Sequence, residues 1–274
     1  VNATLGGQTT HTHTINDNDA AVSVYYVAAT SNASEATTPH TWVVELSAAS
    51  GVQVTVAYSV TGGTATGGGT DYTLADGTLT FAVGVTTMNL SAVINNDTLD
   101  EADETIILNI SGPVNATLGG QTTHTHTIND NDAGPTVYYA AATSNDGEAT
   151  TPHTWPVQLS AVSGQEVTVA YAVTGGTATG AGTDYTLADG TLTFAAGTTT
   201  MNLSAVINND IIFEGSETIT LNISGPVNAT LGGQTTHTHT INDNEVQPTV
   251  YYAAAASNDS EGTTPHTWAV QLSG

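Results

Sequence analysis

The chain has no lysine and no arginine among its 274 residues, against 25 acidic side chains and 9 histidines, and its formal net charge is −25. A surface without cationic side chains has nothing to attract a phosphate backbone or an anionic bilayer, so nucleic-acid binding and membrane-surface attachment are excluded for this segment. The same absence removes every cleavage site for trypsin-like proteases. Cysteine is missing too, so no disulfide framework holds the fold. Long apolar runs are absent: hydrophobic residues make up 39% but are scattered in short alternating groups, far below the ~18 consecutive residues of a membrane span. Direct membrane insertion is therefore not expected here. No signal peptide or targeting tail is recognisable. Nor is there a Gly-x-Ser-x-Gly elbow or a phosphate-binding loop. Serine, histidine and aspartate are plentiful, but each candidate triad recurs in every copy of a repeat, whereas a catalytic centre is a single concave constellation. No catalytic residue is assigned, and the segment is expected not to be an enzyme.

What the chain does have is repetition. The segment Val-Asn-Ala-Thr-Leu-Gly-Gly-Gln-Thr-Thr-His-Thr-His-Thr-Ile-Asn-Asp-Asn begins at Val1, Val114 and Val227, a step of 113 residues. Trp42, Trp155 and Trp268 keep that step, as do Asp71 with Asp184 and Phe81 with Phe194. A period this long makes each repeat a whole domain, not a solenoid rung. The turn-like breaks divide the chain into residues 1–20, the end of a preceding repeat; 21–132 and 133–245, two complete repeats; and 246–274, the start of a following one. Joining the last piece to the first would still omit the equivalents of Ala49 to Pro113, which argues against donor-strand completion between subunits and for a stretch of a longer array.

Within a repeat, runs of four to eight residues rich in Val, Thr, Ile and Tyr alternate in polarity between Gly, Asn and Asp clusters, the pattern of an all-β sandwich. Seven strands are predicted in the second repeat, around 136–143, 153–160, 166–174, 190–194, 199–207, 217–224 and 234–242. Alternate residues share a face, which sets Trp155, Val157 and Leu159 inward, along with Met201, Leu203, Ala205 and Ile207, and with Ile219, Leu221 and Ile223. His124 and His126 share the inward parity of Ile128, as do His237 and His239 in the next copy. A same-face histidine pair is able to bind zinc, but a satisfied buried position is the stronger reading. His40, His153 and His266 precede the tryptophans by two residues and are expected to pack beside the indole.

By parity Asn89, Asn109, Asn202 and Asn222 point outward and begin Asn-x-Ser triplets, and further Asn-x-Ser/Thr triplets start at Asn32, Asn96 and Asn258 and at Asn2, Asn115 and Asn228 of the repeated motif. These are acceptor patterns for N-linked glycan in secreted proteins, and outward threonines could carry O-linked sugar. Composition alone also produces such triplets in an Asn- and Thr-rich β chain.

Two stretches go beyond generic sandwich chemistry. One is Thr-Gly-Gly-Thr-Ala-Thr-x-x-x-Thr-Asp-Tyr-Thr-Leu-Ala-Asp-Gly-Thr-Leu-Thr-Phe, ending at Phe81 and Phe194; the other is the acidic stretch that follows, Ile94 to Thr105 and Ile207 to Thr218, with each repeat closing on Ile-Asn-Asp-Asn. Together they resemble the Calx-β family. The resemblance implies tandem seven-strand immunoglobulin-like antiparallel sandwiches in an elongated array, common in extracellular adhesion and matrix proteins, with calcium at one end in some members. Carried over residue by residue, it implies a calcium site of Glu35, Asp71, Asp97, Glu101, Glu104, Asp130 and Asp132 in the first repeat. In the second the set is Glu148, Asp184, Asp210, Glu214, Glu217, Asp243 and Glu245. Where calcium-binding members have successive aspartates, this chain has Asn95-Asn96 and Asn208-Asn209, which supply carbonyl oxygens and less charge. Phe213 and Ser216 replace Asp100 and Asp103, so the second site is expected to be the weaker.

The charge distribution supports a cation independently. Eight of the eleven acidic residues between 21 and 132 fall in the motif segments, and with no Lys or Arg to pair them, converging carboxylates must be hydrated, protonated or bound to a cation. Oxygen-only ligand sets suit calcium. The alternative is that the acids simply keep a long fibre soluble. The expected function is a structural segment of an extracellular fibre, stalk or surface adhesin, contacting neighbouring repeats and glycans, and stiffened by calcium at the repeat ends. The alternatives are an adhesive or carbohydrate-binding module, and the non-catalytic repeat region of a large secreted enzyme.

Overall fold

The computed structural model describes residues 2–16, 18 and 20–273, and the described residues contain strands and no helix. Ten strands form the first repeat: β1 (Ser23–Tyr26), β2 (Thr30–Ser34), β3 (His40–Leu46), β4 (Val54–Gly63), β5 (Tyr72–Thr73), β6 (Gly77–Phe81), β7 (Thr87–Ile94), β8 (Glu104–Val114), β9 (Thr117–Leu118) and β10 (Thr123–Asn129). The second repeats them as β11 (Thr136–Tyr139), β12 (Thr143–Gly147), β13 (His153–Leu159), β14 (Val167–Gly176), β15 (Tyr185–Thr186), β16 (Gly190–Phe194), β17 (Thr200–Ile207), β18 (Glu217–Val227), β19 (Thr230–Leu231) and β20 (Thr236–Asn242). A hairpin of β21 (Val250–Tyr252) and β22 (Val270–Leu272) follows. Contacts group the chain into two compact units, Val1–Asp97 with Asp103–Asn131, and Thr98–Ala102 with Asp132–Gly274.

Each repeat is a two-sheet sandwich. In the first repeat the sheets run β5-β7-β3-β1-β9 and β2-β10-β8-β4-β6; in the second, β15-β17-β13-β11-β19 and β12-β20-β18-β14-β16. Period-2 alternation decides which side chains fill the space between them. Trp155, Val157 and Leu159 of β13 and Ile219, Leu221 and Ile223 of β18 are all buried, while the intervening residues are exposed or half-buried. Phe194, Leu203 and Ile207 complete the same core, and Trp42, Phe81, Leu90 and Ile94 stand at the matching places in the first. Trp268, at the third tryptophan position, is 65% exposed beside its two-stranded hairpin.

The strand expected over 136–143 is in fact two. β11 pairs antiparallel with β13 in one sheet, and β12 pairs parallel with β20 in the other. Ala140, Ala141 and Ala142 between them are exposed, so the chain changes sheets through small residues that cost little to leave unpacked. The same device separates β1 from β2. The two very short strands β15 and β19 extend sheet edges in stretches read from sequence as loops. Gly63 and Gly176 end the long strands β4 and β14 at φ of +120° and +119°, and a Cβ at Gly63 would sit 2.0 Å from the Thr105 carbonyl oxygen. Only glycine fits where that strand bulges against β8.

Candidate metal centre

The acidic residues of the second repeat gather at the end of the sandwich where β12, β17 and β20 finish and β18 begins. Glu148 follows β12, Asp243 and Glu245 follow β20, and ligand oxygens of these three lie within 4.8 Å of one another. Asp184 precedes β15, Glu217 opens β18, and Glu214 lies on the connection before it; these three also converge within 4.8 Å. Between the two groups is a pocket of about 10 Å³, the space of one water-sized sphere, lined by Glu148, Asp184, Asn208, Asp210, Glu214, Glu217 and Asp243 among others. The seven residues of the sequence-derived set thus divide into two triads, with Asp210 on the pocket wall.

Local hydrogen bonds hold the loops that carry these acids. Asp184 Oδ2 accepts from the Thr179 amide at 2.5 Å, and Asn208 donates through Nδ2 to Gly182 O and Thr183 O at 2.6 and 2.9 Å. That commitment fixes the Asn208 amide and leaves Oδ1 as the atom it offers the pocket. Asp210 Oδ1 accepts from the Ile212 amide at 2.7 Å, and Asn244 Nδ2 donates to Asn209 Oδ1 at 2.8 Å.

The electrostatics are those of acids facing acids. Glu148 is pushed up to about 7, first by burial, then by sharing a proton with Glu245 and by the charges of Glu245, Asp210 and Asp243. Glu217 is likewise raised to about 7, by burial and then by Asp184 and Glu214. Glu214 is also raised, by the desolvation around it and by Asp184. With the carboxylates ionised, the buried oxygens Glu148 Oε1, Asp243 Oδ1 and Glu245 Oε2 meet no hydrogen-bond donor. A carboxylate oxygen kept from water without a donor is costly. Either a shared proton or a cation relieves it, and a set of oxygen donors from several carboxylates fits a hard divalent ion such as calcium.

In the first unit the pairs Glu35 with Asp130 and Asp71 with Glu104 each converge within 4.8 Å at the matching places. Asp97 is exposed on the segment after β7. Glu101 lies in Thr98–Ala102 and Asp132 opens the long span of the second unit, so both group with that unit. Asp103 Oδ1 accepts from the Asp130 amide at 3.1 Å, which makes it a support for Asp130. Neither Phe213 nor Ser216 belongs to the two triads of the second repeat.

The asparagines of the acceptor triplets fall into different settings. Asn32, Asn89 and Asn202 are exposed on strands, Asn109 and Asn222 are half-buried on β8 and β18, and Asn2 and Asn258 are exposed outside strands. Asn115 and Asn228 adopt φ of +60° and +56° and donate through Nδ2 to Gln53 O and Glu166 O at 2.8 and 2.9 Å. Asn96 donates to Asp97 O at 3.0 Å and accepts from Asn131 at 2.9 Å. Three triplets thus have their asparagine amide engaged in turns. The histidine pairs are buried as their parity predicts, with His126 at 0% and His239 at 1% exposure. Among the described residues, no group of three converging metal-ligating side chains includes a histidine.

The Calx-beta domain profile matches residues 17–134 and 130–245, while no curated protein matches the chain. Among solved structures, CBD12 from CALX1.2 is similar at 19% identity with a TM-score of 0.39, over 80% of this chain and 99% of that one. The calcium binding domain CBD12 of CALX1.1 is similar at 18% identity and 0.40, over 79% and 98%. A putative carbohydrate binding protein from Bacteroides ovatus ATCC 8483 is similar at 11% identity and 0.37, over 74% and 67%. With two profile matches that together span most of its length, the chain belongs to the Calx-beta domain family.

Proposed function

We propose that this chain is a calcium-binding structural segment of an extracellular or cell-surface fibre, stalk or adhesin, built from Calx-beta repeats and without catalytic activity. One observation carries the calcium reading: two carboxylate triads converge around a pocket of single-ion size, with buried oxygens that lack donors, in a chain without Lys or Arg. Glu148, Asp243 and Glu245 would hold one ion and Asp184, Glu214 and Glu217 another, with Asn208 and Asp210 able to complete the oxygen shell. Bound calcium would supply charge neutralisation that holds the loop ends together; it performs no reaction. The structural reading rests on the 113-residue repeat, whose acidic motif and core recur from copy to copy. The partners under this reading are neighbouring repeats, and glycan on the exposed Asn32, Asn89 and Asn202 would coat the outer faces.

Isothermal titration of calcium into chain stripped with a chelator tests the ion. Saturable binding that Glu217→Gln weakens supports it, and no heat at millimolar calcium overturns it. Intact-mass analysis of the protein from its source tests the coat, since an unmodified mass removes glycan from the proposal.

A further inference from the structure

Each repeat buries a second set of titratable groups between its edge strand and the neighbouring strand, β2 with β10 or β12 with β20, and its hydrogen bonds form a chain with one direction. In the first repeat His124 Nδ1 is 2.8 Å from Ala28 O, a group that can only accept, so Nδ1 carries the proton and Nε2 is bare. Ser31 Oγ, 2.7 Å from that Nε2, must donate to it. The same oxygen then accepts from His126 Nδ1 at 2.8 Å, and His126 Nε2 is left as a bare nitrogen with no partner in the core. The second repeat has the same chain, from Ala141 O through His237 and Ser144 to His239, at 2.7, 2.7 and 2.8 Å. Trp155 Nε1 also donates to Ser144 Oγ at 3.2 Å.

The serine belongs to an edge strand. β2 pairs with β10 alone, over five residue pairs from Thr30 with Thr125 to Ser34 with Asn129, and Ser31 is the residue beside His126. The two imidazoles therefore grip the outermost strand through one hydroxyl. We propose that this serine–histidine chain is an acid-released latch: protonation of the inner imidazole, His126 or His239, frees edge strand β2 or β12 from the sandwich.

The surroundings leave no place for the extra charge in the first repeat. His126 faces His40 of β3, stacked at 4.0 Å between centroids, and His124 of its own strand; Tyr26 of β1 lies 5.6 Å from His124. β8 presents Ile106 and Leu108 across the ladder, and β2 presents Ser31 and Ala33, so neither adds a carboxylate. A proton at Nε2 would be buried with no acceptor. Burial first, then His40 and His124, hold His126 down to about 4, and burial with His153 and His237 holds His239 to about 4 against the upward pull of Asp146. A folded-state value below the ordinary 6.5 means that stability is complete above about pH 6.5 and declines as pH falls towards 4. The second repeat differs at one place. Asp146 of β12 stands where the first has Ala33, and its Oδ2 is 3.0 Å from His153 Nδ1. That carboxylate gives the second cluster a countercharge, so β2 opens before β12.

Hydrogen exchange of the whole chain tests this in chelator, which keeps calcium loss out of the readout. Peptic fragments over Thr30–Ser34 and Thr143–Gly147 are followed at about pH 7 and about pH 4.5, with rates normalised to intrinsic amide exchange. β2 is expected to lose at least about tenfold in protection at the lower pH, β12 less, and β4 none. His126→Phe should abolish the acid response of β2 while leaving that of β12. Ala33→Asp, which places at this half-buried edge-strand position the residue that the second repeat carries there, should bring the β2 response down to the β12 level. Equal protection of β2 at both pH values overturns the latch, as does an acid response that survives His126→Phe or is unmoved by Ala33→Asp.

Discussion

Strand β20 carries His237 and His239 into the core and then runs out into Asp243 and Glu245, so two titratable clusters hang on one strand and meet their environments in opposite ways. The histidine chain satisfies itself: every proton has an acceptor as long as the rings stay neutral. The carboxylate end does not, because its buried oxygens face one another without donors. The first arrangement penalises added protons and the second penalises their loss. A repeat without calcium is thus pulled down from both sides of the pH scale, and a cation relieves one side only.

The largest test of that contrast strikes the histidine side through its packing. Trp155 is 1% exposed, with His153, His237 and His239 at 5.0, 6.1 and 5.3 Å, so Trp155→Ala should cost about 3–5 kcal/mol. In calorimetry the loss should appear as a second-repeat transition at lower temperature, with that of the first repeat unmoved. Next comes the pH profile of the melting temperature in chelator. His126 and His239 have folded values below 6.5, so each contributes stability present above 6.5 and lost towards 4, on the order of 3 kcal/mol per imidazole. Glu148 and Glu217 have folded values near 7, above the carboxylate reference of 4.5, so their contribution is present below 4.5 and lost as pH rises through 7. The profile should therefore have a maximum between these limits, and saturating calcium should flatten the alkaline limb alone. A calcium effect on the acid limb would break the separation of the two clusters.

A smaller effect is expected of Ser144→Ala, which leaves His237 Nε2 and His239 Nδ1 without their shared partner and should destabilise the second repeat by about 1–3 kcal/mol in denaturant titration. Glu217→Gln removes one charge from a triad and should weaken calcium binding at the second repeat by about tenfold, or about 1.4 kcal/mol. Phe213→Ser, at a position outside both triads, should leave that affinity unchanged; a clear gain would mean that the residue matters to the ion after all.

The sequence carried the parts of this structure that depend on period and parity. The 113-residue step, the inward Trp155, Val157 and Leu159, and the burial of His124 and His126 all follow from alternation along a strand. Three features were not legible. The split of 136–143 into β11 and β12 depends on which sheet each half joins, a long-range choice that a uniform run of Val, Tyr, Ala and Thr does not encode. Ser31 and Ser144 gave no signal, because a serine among threonines looks like any polar strand residue until the β2–β10 register places it between two imidazoles. The acidic motif was visible as a list of seven residues per repeat. Its division into triads was not, since Asp184 and Glu217 are 33 residues apart in sequence and meet only because β15 and β18 begin at the same end of the sandwich.

The parallel pairing of β2 with β10, and of β1 with β9, joins the first strands of a repeat to its last. A pull on the two ends of one repeat therefore runs along these strands in opposite directions. The ladder bonds are loaded together, in shear, and must give way as a group, where a hairpin pulled from its open end unzips one pair at a time. Tensile strength is thus set by the order in which the strands are threaded, whatever fills the acidic end.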